Sequence, residues 1–117
     1  MEFQTQDQFR DLLRRTFPNI YQNDSEILTE LGWNQIIYQL SENIDKTGLS
    51  IYVAQVKEKF AGLRFYYSPH NPIIDQLINE AKDKASLTCQ KCGSPGTLCD
   101  RYGWESILCE SHIKEPF

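Results

Sequence analysis

Two pairs of residues, Cys89-Gln90-Lys91-Cys92 and Cys109-Glu110-Ser111-His112, constrain this chain more than any other feature. Zinc favours tetrahedral thiolate and imidazole ligands, and two ligands separated by two residues can grip one ion because a tight turn brings both side chains to the same side. Gly93-Ser94-Pro95-Gly96 supplies a turn after the first pair. Leu98-Cys99 and Trp104-Glu105-Ser106-Ile107-Leu108 read as two short strands around Asp100-Arg101-Tyr102-Gly103. The pattern predicts one structural zinc ion held by Cys89, Cys92, Cys109 and His112 in a zinc-ribbon or truncated treble-clef module. Cys99 lies outside both pairs and reads as a small strand residue. Two disulfides are the alternative use of four cysteines. Four protein ligands would close the coordination shell, and Glu110 reads as a solvent-facing residue of the second turn, so the metal is expected to be structural, not catalytic.

The remaining sequence is that of one small α+β domain. Thr5 and Gln8 form a capping-box pattern before Phe9, Leu12, Leu13 and Phe17, which recur at helical spacing until Pro18. Residues 19–31 read as a loop with a short helical turn that Asn23-Asp24-Ser25 could cap ahead of Ile27 and Leu28. Gly32-Trp33 opens a second helix whose face is Trp33, Ile36, Ile37, Leu40 and Ile44, with Gly48 placed as its C-terminal glycine. Ile51 to Lys57 and Leu63 to Tyr67 have strand composition and predict an antiparallel hairpin turning near Gly62. Asn71-Pro72 then caps a third helix, whose apolar face is Ile73 or Ile74, Leu77, Ile78, Ala81 and Ala85. The expected organisation is a helical and hairpin portion over residues 1–86, helices on a small antiparallel hairpin, with the zinc module over 87–117 packed as part of one compact domain.

Charge and the missing motifs narrow the function. A formal net charge of −4 argues against binding nucleic acid through the overall field. Between Met1 and Gly48, Glu2, Asp7, Asp11, Asp24, Glu26, Glu30, Glu42 and Asp45 outnumber Arg10, Arg14, Arg15 and Lys46. That asymmetry reads either as a solvated helix surface or as a surface for a basic protein partner. Met1 to Asp7 carries no secretory pattern, and no uncharged apolar stretch approaches a membrane span. Cytoplasmic residence is therefore expected, where thiols stay reduced and available to metal. There is no phosphate-binding glycine loop, Gly-x-Ser-x-Gly elbow or His-Glu-x-x-His helix, and His70 is a lone loop histidine. No enzymatic activity is expected.

The segment from Val56 to Tyr67 mixes Lys57, Lys59 and Arg64 with Phe65, Tyr66 and Tyr67. It reads either as a core hairpin or as a platform that stacks bases and contacts phosphates. Whether Lys57, Lys59, Arg64 and Tyr66 share one solvent face separates the two readings.

Val56 to Tyr67, together with Gly32-Trp33, Thr88 to Gly96 and Gly103-Trp104 to His112, resembles a family of small, largely uncharacterised bacterial and prophage proteins. These carry a Val-Lys-Glu-Lys-Phe-Gly-Gly-Leu-Arg-Phe-Tyr-like hairpin before a Cys-x-x-Cys-Gly-x-Pro-Gly zinc segment. Ala61 stands where the family has glycine. The resemblance spans residues 32–112 and implies the same architecture and the same four ligands, with no established activity attached. The expected role is a zinc-stabilised protein-binding module, such as an inhibitor or immunity-type factor encoded near mobile elements. The competing expectation is a nucleic-acid-binding zinc protein that uses the basic and aromatic hairpin.

Overall fold

A computed structural model describes residues 5–114. The expectations that fall on Met1 to Gln4 and on residues 115–117 lie outside them. The first helix, α1 (Gln6–Thr16), starts at the capping box: the Gln8 N–H donates to Thr5 Oγ1 at 3.1 Å and the Thr5 N–H to Gln8 Oε1 at 3.2 Å. Two of the orphan donors at the helix start are thereby satisfied. Phe9 and Leu13 enter the core from this helix.

Residues 21–27 correct the sequence reading. They are not a loop with a helical turn but strand β1 (Tyr21–Ile27), which runs parallel to β2 (Tyr52–Lys59). Only Tyr21, Glu26 and Ile27 find register partners, because the chain bulges between Tyr21 and Glu26. Ser25 fills the bulge from inside: its hydroxyl donates to the Val53 carbonyl at 2.5 Å and accepts the Gln22 N–H at 2.9 Å. The composition Asn-Asp-Ser that suggested a cap serves a bulge instead, since short polar side chains bond nearby backbone in either setting. α1 also guards this edge strand. Arg10 Nε donates to the Ile27 carbonyl at 2.7 Å and Arg14 Nη2 to the Ser25 carbonyl at 2.8 Å, occupying acceptors that another strand could otherwise pair with.

A 3-10 turn (Leu31–Trp33) leads into α2 (Asn34–Lys46), which makes the crossover between the parallel strands β1 and β2. The helix ends before Gly48, whose φ of 72° is the left-handed conformation expected just past a C-cap. β2 then pairs antiparallel with β3 (Gly62–Ser68). The sheet is therefore mixed and three-stranded in the order β1-β2-β3, not the lone antiparallel hairpin expected from sequence.

The hairpin turn lies at Phe60 and Ala61, with φ of 52° and 65°, immediately before Gly62 as expected. Two positive-φ residues between paired Lys59 and Gly62 match the twist of the strands, at about 1 kcal/mol or more for each non-glycine residue. Glu58 offsets part of that cost, its Oε2 accepting the Ala61 N–H at 2.7 Å.

The last of the larger helices, α3 (Pro72–Ala85), is capped by Asn71 Oδ1, which accepts from the Ile73 N–H at 2.8 Å. Tyr67 ties β3 to it through a 2.5 Å hydrogen bond to Asp75 Oδ1. That bond, with the neighbouring His70, holds the Asp75 carboxyl below its usual range, so the loop histidine has a partner. A second, two-stranded sheet of β4 (Thr97–Arg101) and β5 (Trp104–Leu108), followed by the short α4 (Glu110–Ile113), completes an α+β fold. Among the described residues, no helix is long and apolar enough to cross a membrane.

The core lies between the helices and one face of the three-stranded sheet, where Val53, Val56, Leu63 and Phe65 meet Phe9, Trp33, Ile37, Ile44, Ile74 and Ile78. The register thus resolves what a period of two leaves open: Phe65 is buried and its neighbour Tyr66 is 46% exposed. Phe65→Ala is expected to cost about 3 to 5 kcal/mol from lost transfer energy and a residual cavity. Tyr66→Ala, on the outer face, is expected to stay within about 0.5 kcal/mol. Urea unfolding of both variants checks the pair, and equal losses would contradict this register.

Candidate metal centre

The ends of three local structures bring Cys89, Cys92, Cys109 and His112 together. In the first, the chain doubles back after Cys89: the Gly93 N–H donates to the Cys89 carbonyl at 2.9 Å and the Cys89 N–H to the Ser94 carbonyl at 2.7 Å. The φ of 87° at Gly93 explains the glycine there, because a side chain would be strained. In the second, β4 and β5 pair in unbroken register from Thr97↔Leu108 to Arg101↔Trp104, closed by Tyr102-Gly103 with φ of 54° and 82°. In the third, Cys109 precedes α4, and the first turn of that helix returns His112 to the same side.

The four ligand atoms lie within 4.8 Å of one another. Cys92 Sγ is 3.7 Å from Cys109 Sγ, and His112 Nδ1 is 3.5 Å from Cys89 Sγ and 3.1 Å from Cys109 Sγ. A tetrahedral ion with metal–sulfur bonds of about 2.3 Å and metal–nitrogen bonds of about 2.0 Å places neighbouring sulfurs about 3.7 Å apart, and sulfur and nitrogen about 3.5 Å apart. Two of the three distances match that tetrahedron. A disulfide would need sulfurs about 2.05 Å apart, and all four cysteines are free thiols. The group can hold a metal ion.

Its electrostatics already favour a thiolate. Hydrogen bonds from the Ser94 side chain and backbone, outweighing desolvation, lower the Cys92 thiol to about 6. At Cys109 the His112 backbone N–H pulls downward, but desolvation and the adjacent Cys92 and Cys89 sulfurs leave the thiol above its ordinary value. Sulfurs this crowded cannot all ionise without a cation between them. Cys89 is buried and Cys92 exposed, so one side of the site faces the core and the other faces solvent. Cys99 lies apart from the group, with Sγ 3.4 Å from the Thr97 carbonyl.

Sequence reasoning did not reveal what docks this centre on the domain. Gln90 is 7% exposed although it sits inside the first ligand pair. Its side chain accepts the Ile107 N–H at 3.1 Å and donates to Glu30 Oε1 at 3.1 Å, while its backbone N–H donates to the Ile107 carbonyl at 2.9 Å. The Gly32 N–H donates to the Gln90 carbonyl at 2.9 Å, and Trp33 Nε1 to the Thr88 carbonyl at 2.9 Å. Gly32-Trp33 therefore starts α2 and also seats the first ligand turn. The available signal was the unusual pairing of glycine with a large aromatic at a helix start.

The basic and aromatic hairpin residues divide. Lys57 pairs across the strands with Arg64, and Tyr66 with Gln55, so they share the outer face together with Lys59. Phe65 points into the core, and Tyr67 is half-buried against α3. Three of the acids in the N-terminal surplus are paired locally: Asp7 with Arg10, Asp11 with Arg15 and Glu42 with Lys46.

The chain matches no family model, no curated protein and no solved structure.

Proposed function

We propose that the protein is a non-enzymatic, zinc-stabilised module that binds another protein through its metal-anchored β4–β5 hairpin. Zinc is the ion of choice for three thiolates and one imidazole, since soft sulfur ligands in a tetrahedral array disfavour calcium and magnesium. A ligand turn, a hairpin and a second ligand pair at a helix start form a truncated treble clef, in preference to a zinc ribbon. Four protein ligands leave no position for substrate. Reduced thiols fit a cytoplasmic protein, and the small prophage-type proteins that the chain resembles fit an inhibitor or immunity-type role.

The observation that carries the reading is the exposure of Trp104 (66%) and Tyr102 (100%) at the tip of the hairpin. Tryptophan and tyrosine dominate binding hot spots, and a rigid mount lowers the entropy lost on association. Immobilised, zinc-loaded wild-type protein is expected to retain a nuclease-resistant protein partner from extract of its native host. Trp104→Ala should lose that partner while keeping its zinc and melting temperature. Identical captured proteins with and without Trp104 would sink the reading.

A further inference from the structure

The face of the β1-β2-β3 sheet turned away from the helices is a second surface, on a different sheet from the metal-anchored hairpin. Lys57 lies opposite Arg64, Lys59 opposite Gly62 and Gln55 opposite Tyr66. Cross-strand partners project to the same side of a sheet. The alternate residues Val56, Leu63 and Phe65 are buried in the core, so the first set faces outward. Cations and rings alternate along that face. Lys57 Nζ stands 5.8 Å from the Tyr66 ring centroid, and at the hairpin turn Lys59 Nζ stands 5.6 Å from the ring of Phe60, which is 71% exposed.

Two observations assign this face an anionic occupant. Among the described residues none of Lys57, Lys59 and Arg64 is in an ion pair, whereas Arg10, Arg15 and Lys46 each have a carboxylate. Arg64 Nε is buried with no acceptor among the described residues, and buried donors are ordinarily satisfied. A chain of net charge −4 therefore gathers three cations without a carboxylate partner, among the described residues, on this face. Of the β1 acids, Glu26 is the register partner of Gln55 and so shares this face at its β1 edge, where its Oε1 accepts from Gln55 Nε2 at 3.2 Å, while Lys57, Lys59 and Arg64 lie on β2 and β3.

The rings decide which anion. An acidic peptide would use the cations alone, whereas a single strand of nucleic acid uses both, its phosphates on the cations and its bases stacked on the aromatic faces. We propose that this sheet face binds single-stranded nucleic acid, with Lys57, Lys59 and Arg64 contacting phosphates and Tyr66 and Phe60 stacking bases. On binding, Lys57 exchanges its place over the Tyr66 ring for a phosphate. The inference goes beyond the protein-binding reading and does not depend on it, because Trp104→Ala leaves this face intact.

The test titrates a short fluorescent oligothymidylate with zinc-loaded full-length protein, followed by anisotropy at several salt concentrations. Log affinity is expected to fall with log salt with a slope of roughly −2, three phosphate contacts each contributing about −0.7. The double reversal Lys57→Glu with Arg64→Glu should abolish binding. Tyr66→Ala should weaken it about fivefold or more with the melting temperature unchanged, which separates lost stacking from lost folding. Three results would overturn the proposal. They are no anisotropy change at low salt, undiminished binding in the folded Tyr66→Ala protein, or displacement of the oligonucleotide by polyglutamate as readily as by unlabelled oligothymidylate, which would make the face an acidic-peptide site.

Discussion

Protein purified without chelators is expected to carry one zinc ion per chain, and Cys92→Ser is expected to release it and melt the structure over residues 87–114. The expected effect is large because little else holds that segment. From Leu87 to Lys114 the buried residues are Cys89, Gln90, Ile107 and Leu108, while Leu87, Leu98, Tyr102 and Trp104 face solvent. An isolated two-stranded hairpin such as β4–β5 is marginal in water. Structural zinc contributes on the order of 10 kcal/mol in small zinc-folded peptides, and that binding energy is coupled to folding. Removing it leaves the sulfurs of Cys89 and Cys109 without a cation between them, to repel one another or to take up protons. The helical portion keeps its own core of Phe9, Leu13, Trp33, Ile37, Val56 and Ile74. Helical circular dichroism should therefore survive, while amide protection in β4 and β5 collapses. Elemental analysis and hydrogen exchange read the two halves of this expectation. Cys99→Ser should retain the full zinc content, and loss of zinc there would show that a different set of four binds the ion.

The parts of the fold legible in the sequence are those whose causes are local. The capping box at Thr5 and Gln8 and the Asn71-Pro72 start of α3 are each decided within one helical turn, and both helices begin where those residues place them. The four ligands are legible for the same reason, since each pair closes over two intervening residues and only the meeting of the pairs is long-range. Strand β1 was hidden because its bulge breaks the alternation that marks a strand, leaving Gln22, Asn23 and Asp24 exposed in succession. The facing of the hairpin aromatics was hidden because a period of two is compatible with either face until the exact turn residues are fixed, and these are Phe60-Ala61, just before the glycine that marks the turn. The docking of the metal centre was least visible of all. Gln90 and Glu30 are 60 positions apart, and Trp33 and Thr88 are 55 apart.

That long-range seam makes Gly32→Ala the other substitution with a large expected effect. A Cβ built on Gly32 would stand 2.1 Å from the Cys89 carbonyl oxygen and 2.5 Å from the Gln90 carbonyl carbon. Both obstacles are backbone, so no side chain can swing aside. Relief requires the 3-10 turn and the first ligand turn to separate, which stretches the 2.9 Å hydrogen bond from Gly32 to Gln90 and draws Trp33 Nε1 away from the Thr88 carbonyl. Overpacking costs about 1 to 3 kcal/mol and each hydrogen bond about 1 kcal/mol more, so a loss of roughly 3 to 5 kcal/mol is expected. The same displacement moves Cys89, whose carbonyl takes the clash and whose thiol is the buried ligand. Zinc should consequently be lost to a competing chelator at lower chelator concentration than in wild type, through the coupling of metal binding to folding. Gly48→Ala is the control. It places a side chain at a φ of +72° with nothing within 4 Å, and so is expected to cost only about 1 kcal/mol of backbone strain, with zinc retention unchanged. If Gly32→Ala melts and releases zinc no more readily than Gly48→Ala, the contact between the start of α2 and the first ligand turn does not seat the metal centre.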